Sequence, residues 1–419
     1  MTTIRINNLE QASRAMAAGD RRKGLITVGF ASIAHAYAHL VVLLFATVVL
    51  VLEDEWAMSY AELFSLSIPM IIMFGFGALP ASWLSDRWSP TGMMALFFLG
   101  VGISAVATGY ATTPLEIMLG LAALGAFASI YHPVGIPWLV DHSVSPGRAL
   151  GINGVFGSIG TATAALVAGW LASQYGWEFA FIVPGVVCLG TGIVFLLVLW
   201  VGWMGGNIES SSTKKVTPVS DIKRVFLVLA VTVLCTGLIY QITAFSLPKI
   251  FQERLGVVFG DSVFGIGGLV SVVYAFSALT QVVGGELADR ISLKYVYLGS
   301  QVLQIPVLAI AFIVYSPALV VCATLMVGLN VAGSPAENAL LSRYAPASWR
   351  SRAFGAKFVL TLGVSACGVA LVPVVHASVG SLNPMFLIML GFVSLAALAS
   401  ATLPNPPIGD LNRAERLVQ

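Results

Sequence analysis

Charge is what this chain most lacks. Only 10% of its 419 residues are Asp, Glu, Lys or Arg, whereas a soluble domain carries about 25%. A surface that largely faces water is therefore excluded. The net charge of +2 is small and its carriers are scattered, so no basic patch offers itself to nucleic acid. Cysteine is scarce as well. Cys188, Cys235, Cys322 and Cys367 lie inside apolar segments without CxxC spacing, which leaves neither a disulfide framework nor a thiolate metal centre and reads them as small core residues. No Walker A sequence is present, which argues against an ATP-driven pump. No compact nucleophile–base constellation can be assembled, so no enzymatic activity and no cofactor are expected. Residues 1–20 are polar without an apolar stretch, and read as a tail, not a cleavable signal peptide.

What the chain has instead is apolar length, with 58% of residues hydrophobic. Crossing a bilayer takes about 20 helical residues. Polar punctuation divides the chain into about twelve such pieces, near 24–52, 62–84, 91–110, 114–139, 148–173, 178–203, 222–248, 262–288, 293–315, 318–341, 351–376 and 381–403. The fold class expected is an all-α polytopic membrane protein, embedded in lipid as a monomer. An N-terminal tail covers 1–21, a first six-helix bundle 22–204, a Ser- and Thr-rich linker 205–221, a second bundle 222–403 and a C-terminal tail 404–419. Lysine and arginine distribution sets orientation. With both termini cytoplasmic, the basic residues of 21–23, Arg87, Arg148, Lys214, Lys215, Lys223, Arg224, Arg290, Lys294, Arg343, Arg350 and Arg352 fall inside. Lys249, Arg254, Glu53, Asp54 and Glu55 fall on the opposite side.

An internal repeat supports the six-plus-six division. Ser82-Trp83-Leu84-Ser85-Asp86-Arg87 and Gly285-Glu286-Leu287-Ala288-Asp289-Arg290 each close one long apolar segment and precede another. Pro146-Gly147-Arg148-Ala149-Leu150-Gly151 opens the predicted fifth helix, as Arg350-Ser351-Arg352-Ala353-Phe354-Gly355 opens the eleventh. His132-Pro133 and Ser334-Pro335 stand near the ends of the fourth and tenth. Such a repeat implies two bundles with a pathway between them and alternating access by rocking.

Polar residues inside the apolar segments are the site candidates. His35 and His39 are four apart and share a helix face. Imidazole offers a donor and an acceptor and titrates near neutral pH, which suits a solute or proton site; bundle packing is the structural alternative, and a metal would need ligands from other helices. No metal site is assigned. Tyr131 and His132 precede Pro133, whose missing donor favours a kink that turns His132 toward the pathway. Asn153 introduces hydrogen-bonding capacity among Gly151, Gly154, Gly157 and Gly160, a spacing that permits close helix approach. Tyr240 and Gln241 punctuate the seventh helix and offer a polar contact to a solute, with satisfaction of neighbouring helices as the alternative. Glu337 and Lys357 lie near the cytoplasmic ends of adjacent predicted helices, where an ion pair serving coupling or gating is expected, with direct substrate contact and a static structural pair as the alternatives.

Over residues 22–403 the chain resembles the major facilitator superfamily. The family's loop signature, a Gly, then Asp-Arg, a further Gly and basic residues, is matched by Gly285, Asp289, Arg290 and Lys294, with Ser292 replacing the second glycine. The first copy keeps Asp86 and Arg87 but carries Ser82, Ser89, Pro90 and Thr91. The resemblance implies that Asp86, Arg87, Asp289 and Arg290 help hold the cytoplasmic face closed. His35, Tyr131, His132 and Pro133 are similar to features of exporters related to fosmidomycin resistance proteins. The glycine-rich fifth helix is similar to that of antiporters, although Thr161-Ala162 stands where a Gly-Pro feature would be sought.

The function expected is secondary active transport of a small solute, with protons coupled to export, in a bacterial inner membrane. Proton-coupled uptake of a nutrient or siderophore-like compound would use the same scaffold. A non-transporting receptor or assembly protein is the third possibility.

Overall fold

The computed structural model describes residues 2–143, 146–204, 222–259, 262–345 and 350–404, side chains being described from Arg22 onward. The expected linker at 205–221 and nearly all of the tail at 404–419 lie outside these residues. The described chain is helical: α1 (Thr2–Glu55), α2 (Tyr60–Ser65), α3 (Ile68–Phe76), α4 (Ala78–Arg87), α5 (Pro90–Gly109), α6 (Pro114–Ala128), α7 (Ile136–Asp141), α8 (Pro146–Tyr175) and α9 (Phe179–Trp200) precede the linker. After it come α10 (Ile222–Phe259), α11 (Val263–Arg290), α12 (Leu293–Ile313), α13 (Ala318–Tyr344), α14 (Arg350–Phe358), α15 (Ala366–Val379) and α16 (Pro384–Ala401). Among the described residues, 11 helices are long and apolar enough to cross a membrane, and counting the bent run from α2 to α4 as one span brings the number to 12. The molecule is a multi-pass integral membrane protein.

Local chemistry explains where several spans begin. Ser59 accepts from the Glu62 amide at 3.3 Å while the Glu62 carboxylate accepts from the Ser59 amide at 3.0 Å. Thr113 and Glu116 repeat the arrangement at the start of α6. Each pair satisfies amides that the first helical turn leaves without partners.

Three departures from the expected spans have physical causes. The second span bends by 41° between Phe76 and Ala78; a Cβ on Gly77 would come within 2.4 Å of the Met73 carbonyl oxygen and 2.6 Å of Ser129 Oγ, so the break sits against the fourth span. The fourth and eleventh spans each contain a wide π turn, at Tyr131–Gly135 and Val359–Val364. The seventh span continues past Pro248 and Lys249 to Phe259. Proline there is tolerated because neighbouring helices compensate for the missing bond, and Lys249 is neutralised by an ion pair.

Segments on either side of the expected linker pack closely at several points. A Cβ on Gly75 of α3 would lie 2.3 Å from Gly363 Cα, and one on Gly267 of α11 would lie 2.2 Å from the Ala165 carbonyl oxygen of α8. Here glycine permits backbones to touch. Lys249 of α10 pairs with Glu53 of α1 at 2.5 Å and lies over the Tyr60 ring, which itself contacts His376 of α15. Outside this tie is an open depression of about 740 Å³ lined by Glu53, Asp54, Glu55 and Glu253. At the opposite end Asp86, Arg87, Asp289 and Arg290 are exposed. Arg87 lies over Trp83 and Arg290 pairs with Glu286, each within its own helix. The Glu53 end is thus laced across the linker by charge and aromatic contacts.

Candidate functional site

The sequence-predicted polar residues of the first, fourth and fifth spans converge. His35 and His39 sit one turn apart on α1, and their Nε2 atoms are 3.2 Å apart. His35 Nδ1 lies 2.8 Å from the Asn153 backbone oxygen. A carbonyl only accepts, so Nδ1 carries the proton and, in the neutral ring, Nε2 faces His39 as a lone pair. Asn153 Nδ2 donates to the Tyr131 hydroxyl at 2.6 Å, and the Tyr131 ring stacks on His35 with centroids 4.8 Å apart.

The π turn at Tyr131–Gly135 brings His132 into the same group. An i→i+5 turn adds a residue to the helix circuit, and it lies directly before and around Pro133, which cannot donate to the ladder. The His132 ring is 5.4 Å from both His35 and His39. It is 6% exposed, and neither of its nitrogens has a hydrogen-bond partner among the described residues. Burying an imidazole in that condition costs the hydration it gave up.

Gly157 makes room for this arrangement. A Cβ there would stand 2.5 to 2.8 Å from the atoms of the His35 ring. Its place in a glycine run suggested helix approach; its particular service to His35 was not readable without the rotation of α8.

From His132 the site crosses the linker. The Phe358 ring stacks on His132 at 5.5 Å, while Phe74 approaches it at 6.0 Å. Phe358 directly follows Lys357, which pairs with Glu337 at 2.7 Å, their side chains 11% and 7% exposed. Glu337 also accepts from the Tyr297 hydroxyl at 2.7 Å and from Thr236 at 3.3 Å, and Lys357 further bonds Asn338. A carboxylate in the apolar interior is tolerated when its charge and lone pairs are answered in this way. The ion pair joins α13 to α14, both after the linker; it does not itself bridge the two segments.

Tyr240 and Gln241 of α10 face His39 across a cavity of about 10 Å³ that is also bounded by Met70, Phe74 and Leu362. That is room for about one water. The Tyr240 hydroxyl lies 3.3 Å from Thr161 Oγ1. Asp86, Arg87, Asp289 and Arg290 are not part of this assembly, being exposed at the far end. Phe74, Phe358 and Tyr297 complete the site without having been singled out in the sequence, and Gly157 had been noted only for helix approach. The one available signal was the adjacency of Phe358 to Lys357.

An all-helical architecture of 11 to 12 long apolar spans among the described residues, with buried polar groups where distant spans meet, defines a polytopic membrane protein before any relative is considered. The family profile described as Major Facilitator Superfamily matches residues 30–276 and again 229–417, and the chain belongs to that family. Inner membrane transport protein YdhP of Escherichia coli strain K12 is 28% identical over 200 residues, 47% of this chain and 48% of that protein. YdhP of Escherichia coli O157:H7 matches to the same extent. The alignment therefore spans about half the length of these relatives. Among solved structures, a bacterial homologue of the human lysosomal transporter Spinster superposes with TM-score 0.69 in its inward-facing occupied form and 0.66 in its inward-facing unoccupied form. Identity is 14% in both, over 94% of this chain and 97% of that one, a likeness that shows the fold.

Proposed function

We propose that this protein is a secondary active transporter that exports a small solute across a bacterial inner membrane in exchange for protons. Both termini are cytoplasmic in this reading. The two groups of six spans, before and after the linker, rock about the central polar site. The carrying observation is the continuous path from His35, His39 and His132 through the stacked Phe358 ring to the neighbouring Lys357–Glu337 pair. Occupancy at the histidines bears on the position of α14, and the charge state of Glu337 decides whether α14 stays tied to α13. A solute and a proton thereby act on one mobile element.

With the Glu53 end outside, its ties to Lys249, Tyr60 and His376 hold the outer gate shut, and the exposed Asp86-Arg87 and Asp289-Arg290 await each other's segment at the inner gate. This corresponds to an inward-facing state. The direction of transport rests on the similarity of His35, Tyr131, His132 and Pro133 to fosmidomycin-resistance-type exporters.

The test is proton movement in proteoliposomes containing a trapped pH dye. Fosmidomycin and a panel of organic anions are added under an imposed pH gradient. A solute that evokes proton flux in the wild type but not in Glu337→Gln supports the reading; solute-evoked proton flux that persists unchanged in Glu337→Gln removes the coupling role. Solute accumulation in intact cells driven by inward proton movement would reverse the direction to uptake.

A further inference from the structure

We infer that His35, His39 and His132 form a binding site for a late first-row divalent metal ion such as Zn²⁺, with one coordination position left open to a non-protein ligand; His39 alone of the three also lines the small cavity bounded by Tyr240 and Gln241. One ligating nitrogen from each ring can be chosen so that all three lie within 4.8 Å of one another. Zn–N bonds of about 2.0–2.1 Å in a tetrahedral site place neighbouring nitrogens about 3.4 Å apart. His35 Nε2 and His39 Nε2 already stand at 3.2 Å. With the three nitrogens within 4.8 Å of one another, His132 has to close in by up to about 1.4 Å for one ion to reach all three.

Two further observations point to a ligand. The Nδ1–H of His35 is held by the Asn153 carbonyl at 2.8 Å, which leaves Nε2 as a fixed lone pair; metal-bound histidines are oriented by this same kind of outer bond. His132, more than nine-tenths buried, has two nitrogens with no partner among the described residues. A metal bond to one of them would answer an otherwise uncompensated burial. Stacking by Tyr131 on His35 and by Phe358 on His132 limits how the rings can tilt.

The donor set selects the ion class. Imidazole nitrogens suit Zn²⁺, Co²⁺, Ni²⁺ and Cu²⁺, whereas Mg²⁺ and Ca²⁺ require oxygen ligands. No carboxylate joins the three histidines among the described residues. The metal's charge would therefore favour an anion, hydroxide or an anionic group of the solute, at the open position. Three of the chain's 5 histidines are used and His376 belongs to the Glu53 end, leaving His142 as the internal control.

The inference stands on ring geometry and not on direction or coupling of transport. Full-length protein purified without a polyhistidine tag is titrated in detergent with Co²⁺, followed by its visible absorption, and then with Zn²⁺. One equivalent of Co²⁺ with the intense bands of a four-coordinate site, displaced by Zn²⁺ and not by Mg²⁺, is expected. His39→Gln and His132→Gln should each weaken binding at least about tenfold, while His142→Gln leaves it unchanged. Size-exclusion elution and metal-free thermal unfolding establish that each variant is folded, and either ligand variant suffices if the other is not. Absence of saturable binding, or unchanged binding in a folded His39→Gln or His132→Gln protein, overturns the site. A chain that binds Co²⁺ through these residues yet moves no protons keeps the metal site and loses the proton coupling of the proposed function.

Discussion

Lys357 Nζ meets Glu337 at 2.7 Å, and the residue that follows Lys357 lays its ring against His132. Two interactions of different kinds, one within the second half of the chain and one across to the first, therefore converge on a single turn of α14.

Breaking that ion pair from one side leaves a buried charge unanswered, at a cost of about 3–5 kcal/mol. Glu337→Gln and Lys357→Met are each expected to lower the unfolding temperature in detergent clearly. The double variant should lose less than the sum, since neither charge is then stranded. Thermal unfolding of the four proteins checks this; additive losses would mean that the pair contributes nothing as a pair.

The Glu53–Lys249 contact makes a second prediction. Lys249 is 8% exposed and holds Glu53 at 2.5 Å while covering Tyr60. Lys249→Met keeps the stem and deletes the charge, so the Glu53 end should open more often. A cysteine introduced at the buried Ala244, which lines the central cavity, is then expected to react about tenfold faster with an impermeant maleimide applied from that side, a response within the usual range of coupling between states. An unchanged rate would show that the end is closed by apolar packing alone.

Glycine spacing supplies the third. Gly157→Ala forces a methyl group to within 2.5 Å of the His35 ring, and overpacking of this kind costs about 1–3 kcal/mol. Displacement of His35 should also reduce solute-evoked flux and Co²⁺ affinity by at least about tenfold. Gly154→Ala, where a Cβ would meet nothing within 4 Å, should be indistinguishable from wild type. Equal behaviour of the two variants would separate Gly157 from the site.

The spans were readable because apolar length is a direct requirement of the bilayer. Boundaries drifted where a cue pointed the wrong way: Pro248 and Lys249 read as an end, but a partner at Glu53 lets α10 continue to Phe259. His35 and His39 were legible as a pair because four-residue spacing fixes a shared face. Their convergence with His132 was not, since the rotation of the fourth span depends on a π turn that leaves no mark beyond Pro133. Glu337 and Lys357 do meet as adjacent spans allow, whereas Tyr297 and Phe358, which complete their surroundings, are common aromatic residues whose importance is purely positional. The Asp-Arg motifs, the clearest signature in the sequence, stand apart from the polar centre at the exposed end.

The π turn at Tyr131–Gly135 also constrains what the chain can become. Straightening it to ordinary helical pitch with every residue kept would rotate Tyr131 by about 100° relative to Ile136–Asp141, because the wide turn absorbs one residue's worth of rotation. The span would still cross a bilayer, and its composition would not change. Yet Tyr131 and His132 could not both keep their places beside His35 while Trp138 kept its hydrogen bond to Thr91. The wide turn between Ile130 and Ile136 is therefore as much a part of the site as the histidines, and a change that let it relax to ordinary pitch without losing a residue would have to build a different centre.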